Sequence, residues 1–117
     1  GLVVLGPYGF HADVSSKPPG EQEVVRQIHA LRKPIPFGRK WAGGGGHIGL
    51  VVGYLRTNDG RLLLEILDPF PPPGKNSQTP DGGQRMLMPY HRWAGGDSES
   101  AFDHALTNVS QVSQGKE

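Results

Sequence analysis

No cysteine occurs anywhere in the 117 residues. That absence excludes disulfides, thiolate-zinc sites and any cysteine nucleophile supplied by this chain itself. Long apolar runs are missing too, since no stretch approaches the roughly 18 residues needed to span a bilayer. Residues 1–5 are too short for a signal peptide and lack its basic start. Charge of one sign is equally scarce. The 12 basic residues stand against 11 acidic ones, and Arg32-Lys33 and Arg39-Lys40 are isolated pairs. Nothing in that balance calls for nucleic acid or an anionic membrane as a partner.

What the chain has in quantity is glycine and proline. With 18 Gly and 11 Pro they make up about a quarter of it, close to the low-complexity range. Two dense apolar runs, residues 48–55 and 62–67, argue against disorder, because a disordered chain has no use for them. The length suits one small domain with a single core. We read residues 1–109 as that domain and 110–117 as a polar tail that frays.

Residues 2–5 read as a short strand stopped by Gly6-Pro7, and residues 8–20 as loop. Residues 21–33 switch to helical period, with Val24, Val25, Ile28 and Leu31 on one stripe, acids in the first turn and Arg32-Lys33 in the last. Pro34 ends this helix. Ile35-Pro36-Phe37 is expected at a sheet edge because of Pro34 and Pro36. A glycine run then precedes His47 and a strand over residues 48–55. Thr57-Asn58-Asp59-Gly60 is a turn, residues 62–67 a second strand, and Asp68-Pro69 stops it. Residues 71–83 show no apolar period and read as a long loop, residues 85–88 as a third strand and 98–106 as a last helix. The expected fold is α+β: one N-terminal helix on a small twisted antiparallel sheet.

His47 and Asp68 flank the two strands of the hairpin and so lie at its open end. If Asn58 and Asp59 form the loop pair, Asp68 faces Gly49 and His47 is its diagonal neighbour on the same face. Such neighbours lie roughly 7–8 Å apart at Cα, within reach of an imidazole and a carboxylate. A one-residue change of register would put them on opposite faces. A carboxylate beside an imidazole fixes its tautomer and stabilises the imidazolium that forms when the ring takes a proton from a nucleophile. Glycines before the histidine let a substrate backbone approach the ring.

The stretch from Glu23 to Trp93 resembles the C-terminal half of papain-like cysteine peptidases, especially the bacterial secreted and effector branch. The resemblance is carried by the helix of Val24 and Leu31, by Lys33-Pro34-Ile35, by Trp41-Ala42-Gly43-Gly44-Gly45-Gly46-His47, by Gly53-Tyr54 and by Asp68-Pro69. It implies the β-rich half of a papain-like fold and a hydrolase that cuts peptides by thiol acylation. His47 would then be the general base or imidazolium partner, and Asp68 the residue that orients it. Trp41, Gly45 and Gly46 would line the substrate cleft. A secreted or host-delivered bacterial protein is implied by the resemblance alone. In these families the cysteine lies upstream, opening a helix, and this chain has no match for it. The resemblance therefore also implies a cysteine-bearing partner chain or a missing N-terminal half, and an isolated chain that is inactive. Half of such a fold leaves an apolar face uncovered. The rival reading is a dead pseudopeptidase that binds peptides or proteins.

Other motifs carry less. Residues 44–49 fit G-x-G-x-x-G, but a strand follows where a dinucleotide site needs a helix. Ser15 and Ser16 lack any nucleophile elbow and read as turn residues. The five histidines show no tight ligand spacing, so we expect neither metal nor cofactor. Trp41 and Trp93 each precede Ala-Gly and read as core caps, with a cleft wall as the alternative for Trp41. Asn108-Val109-Ser110 fits a glycosylation sequon.

Overall fold

The computed structural model describes residues 2–5, 10–68, 84–96 and 100–111. Its centre is one seven-stranded sheet in which every pairing is antiparallel. The strands are β1 (Leu2–Leu5), β2 (Phe10–Ser15), β3 (Ile35–Trp41), β4 (Gly46–Arg56), β5 (Leu62–Asp68), β6 (Gln84–Pro89) and β7 (Ser100–Gln111). In space they run β1-β2-β7-β3-β4-β5-β6, so the last strand inserts between the second and the third. Helix α1 (Glu21–Val25) continues into a π-helical turn, Arg26–Ala30, and a second short helix, α2 (Tyr90–Ala94), follows β6.

Period-2 burial along β5 shows how the sheet is used. Leu62, Leu64, Ile66 and Asp68 are buried, while Leu63, Glu65 and Leu67 between them are only half-buried. Leu62, Leu64 and Ile66 pack with Ile35, Phe37, Val51 and Ala105, and with Val24 from α1 and Trp93 from α2, in one cluster. Both helices therefore cover the same face, and their apolar stripes explain why they form where they do. No described helix covers the other face. There Ile48, Leu55 and Leu87 are 61%, 51% and 57% exposed.

The sheet-rich antiparallel architecture, the first helix, β1, the β4–β5 hairpin and β6 follow the sequence reading. Several elements differ. Residues 10–15 form a strand within the expected loop, because β7 provides a ladder for them. Residues 98–106 were expected to be helical, yet Ser100 onward is strand, paired on both sides. The sheet edge expected at Ile35-Pro36-Phe37 is central, with β4 and β7 as neighbours. Pro36 is tolerated because the β7 ladder opens only at Phe37. Ser110 belongs to β7, opposite His11, and not to the tail. The expected loop at 71–83, Pro69 and residues 112–117 of the tail lie outside the described residues.

Candidate active site

Two hairpins converge on His47. Strands β3 and β4 are joined by a tight glycine turn, closed by bonds from Trp41 N to Gly45 O and from Gly44 N to Trp41 O, both 3.0 Å. Gly44 and Gly45 have φ of 103° and 82°. Those left-handed values explain glycine at both positions, since a Cβ there would be strained even in open space. The turn brings Trp41 back onto His47, with ring centroids 5.1 Å apart.

Strand β5 supplies the carboxylate. His47 Nε2 donates to Asp68 Oδ2 at 2.8 Å, with the two side chains 14% and 5% exposed. Nδ1 is left as the nitrogen able to exchange a proton, and no described residue bonds it.

The contact depends on a register correction. The loop between β4 and β5 holds three residues, not two: Thr57 N bonds Arg61 O at 2.8 Å around Asn58, Asp59 and Gly60, whose φ is 89°. Near this loop Arg56 pairs with Leu62 and Gly53 with Glu65, one position away from the register expected for a two-residue turn. Uncorrected, that shift would set Asp68 opposite Leu50 and off the face of His47. A bulge between Val51 and Gly53 absorbs one residue, after which Val51 pairs with Ile66 and Leu50 with Leu67. Continued one step, Asp68 stands opposite Gly49, as the sequence reading placed it.

Behind His47, its cross-strand partner Arg39 is buried. The Arg39 guanidinium donates to Ser100 Oγ and the Trp93 carbonyl at 2.8 Å, and to the Ser100 carbonyl at 3.2 Å. It thus ties β3, α2 and β7 together beneath the site. The sequence reading saw in it only half of an isolated basic pair, and nothing local marks it as buried.

His47, Trp41 and the glycine turn border an open cavity of about 590 Å³. Its far wall is a second imidazole–carboxylate pair that the sequence reading missed. His104 Nδ1 donates to Asp103 Oδ2 at 2.7 Å, and Asp103 also pairs with Lys40 at 3.3 Å. The hydrogen bond from His104, with Lys40 adding, holds the Asp103 carboxyl below its ordinary range. Among the described residues, no serine or threonine lines the cavity. Set against known proteins, the chain matches no family model, no curated protein and no solved structure. The site must therefore be read from its own geometry.

The remaining candidates fall elsewhere. Trp93 is fully buried between Phe37, Tyr90 and Phe102, so the two tryptophans divide into a core residue and a cavity wall. Ser15 makes a local turn with Lys17, accepting from its N–H and donating to its carbonyl. No three potential metal ligands cluster among the described residues. The sequon asparagine, Asn108, is occupied: it donates to Asp13 and accepts from Gln27, at 2.7 and 2.8 Å. Among the described residues, no helix is long and apolar enough to cross a membrane.

Proposed function

We propose that this chain carries the histidine and aspartate of a thiol peptidase site whose cysteine comes from outside these 117 residues. One observation carries the reading. His47 and Asp68, 21 positions apart, meet at 2.8 Å through a bulge that restores their common face. A bulge beside a candidate site is a feature of design more often than of accident. With Nε2 held by the carboxylate, Nδ1 accepts the thiol proton, and the resulting imidazolium stabilises the thiolate. The glycine turn leaves room for a peptide backbone beside the ring, and Trp41 forms the wall of the cleft. The face that no described helix covers leaves room for the other half of a papain-like fold, whose cysteine would reach His47 around the glycine turn.

The test uses these residues joined to, or co-purified with, the polypeptide that supplies the cysteine. Iodoacetamide should label one thiol rapidly at neutral pH. His47→Ala should slow that labelling roughly a hundredfold or more, and Asp68→Asn should slow it less. Labelling at an unchanged rate in His47→Ala removes the assignment.

The cavity and the missing nucleophile also favour a second reading, a pseudopeptidase that binds peptides in the cleft. It predicts saturable peptide binding by the chain alone, weakened by Trp41→Ala. No binding at millimolar peptide counts against it.

A further inference from the structure

Two imidazoles border the cavity, and only His47 has a place in the proposed chemistry. His104 reaches the cavity through a specific arrangement. It pairs with Gly38, and a Cβ on Gly38 would lie 2.3 Å from His104 Cε1 and 2.8 Å from Nδ1. The ring thus occupies the space that the glycine leaves free. On the other side Gly38 pairs with Ile48, so the ring lies on the sheet face that the helices leave open. A register shift in β7 pairs His104 with Gly38 but Phe102 with Arg39, and leaves Asp103 as the extra residue. That shift lets two consecutive side chains meet, which regular alternation would send to opposite faces.

Among the described residues, the ionisable side chains beside Gly38 at the cavity are Lys40, His104 and one carboxylate, Asp103. Asp103 accepts from both Lys40 and His104. Once Nδ1 is committed to Asp103, a protonated His104 presents its remaining N–H, on Nε2, to a ligand. Lys40 stands beside it, with a side chain 73% exposed. An ammonium and an imidazolium sharing one carboxylate leave a net positive charge for an incoming anion.

We propose that His104, positioned by Asp103 and Gly38 and assisted by Lys40, is a carboxylate-binding subsite on the open face, at the cavity that the glycine turn before His47 borders. The ligand is a peptide that carries a carboxylate where it passes the glycine turn, since the His47 ring lies on the opposite, helix-covered face. The carboxylate belongs either to an acidic side chain or to the peptide's own C-terminus. The inference shares with the proposed function the view that the cavity takes peptides, but it needs no cysteine.

The experiment is an NMR titration of the intact 117-residue chain at about pH 6, where imidazoles carry substantial positive charge. Four capped peptides are compared: acetyl-Gly-Gly-Glu-amide with its Gln counterpart, and acetyl-Gly-Gly-Gly with a free C-terminus against its amide. At least one acid should bind about fivefold or more tightly than its neutral counterpart, the scale of one partly exposed charge-assisted contact. It should also shift the His104 ring resonances. The pair that shows the preference identifies the source of the carboxylate. His104→Gln should erase the preference, and Gly38→Ala should reduce it by displacing the ring without removing it. Equal binding of acid and neutral peptides in both pairs overturns the proposal, and so does a preference that survives His104→Gln. Failure of thiol labelling would remove the peptidase reading and leave this result standing. Neutral peptides that bind through Trp41 with no preference for acids would remove only this subsite.

Discussion

At the residue scale, similar side chains do different work according to their neighbours. Trp93 and Trp41 share the same local sequence, each followed by Ala-Gly. Trp93 sits at 0% exposure within the core, while Trp41 packs against the His47 ring at the cavity. Trp93→Ala should therefore cost roughly 3–5 kcal/mol of stability. Trp41→Ala should cost clearly less in a urea titration and should reduce peptide binding instead. Glu23 offers a pH test. Its carboxyl lies below the usual 4.5 because it accepts from Arg26, and then from Gln27. A depressed folded pKa stabilises the fold above the unfolded value and loses that contribution as pH falls through the folded one. Stability should thus drop below about pH 4.5 in the parent, and less so in Glu23→Gln. The difference near neutrality should be a few tenths of a kcal/mol to about 1, because the pair is solvent-screened.

At the scale of elements, the informative failures all trace to β7, which pairs with β2 and β3 as well as being misread itself. Residues 98–106 were expected to be helical, and Phe102, Ala105, Leu106 and Val109 do recur at the helical spacing i, i+3, i+4 and i+7. In the structure two irregularities reset the alternation of a strand, one at Asp103 and one near Asn108, whose φ is 54°. Phe102 and Ala105 can then both join the helix-covered face despite their odd separation. A bulged strand can imitate a helix in sequence, and tertiary pairing decides between them. By contrast the β4–β5 hairpin was legible because its apolar runs and its Asn-Asp-Gly turn are local signals. The proximity of His47 and Asp68 was legible for the same reason. Loop length and bulge were each misjudged by one residue, and the two errors cancel. Deleting Val52 tests that account. It should remove the bulge by joining the Gly53–Glu65 pair directly to Val51–Ile66, so that Asp68 stays opposite Gly49 and on the face of His47. Ring 15N spectra should then keep the signature of a His47 ring bonded through Nε2. If that signature is lost, the ladder does not close as this register requires.

The whole molecule is asymmetric across its sheet, with helices and core on one face and half-exposed leucines on the other. Leu55 pairs with Leu63 and Leu87 with Glu65 on that open face, where Glu65 also meets Arg85 at 3.0 Å. An open face of this kind is either ordinary surface or an interface, and stability and assembly measurements respond to the difference. Leu87 is already 57% exposed, so Leu87→Lys should alter the stability of the isolated chain by no more than about 0.5 kcal/mol. If the face receives the half that supplies the cysteine, the same substitution buries an unpaired ammonium in the assembled protein. Burying an unpaired charge costs several kcal/mol, so the assembly should weaken at least tenfold in an ultracentrifugation titration. A paired substitution on the helix-covered face, Leu64→Ala, should show the reverse order. It should cost about 2–5 kcal/mol in the isolated chain through the cavity it leaves, whether or not a partner binds. If Leu87→Lys leaves assembly intact, the open face is ordinary surface, and the cysteine must reach His47 from beyond the sheet edge, past the glycine turn.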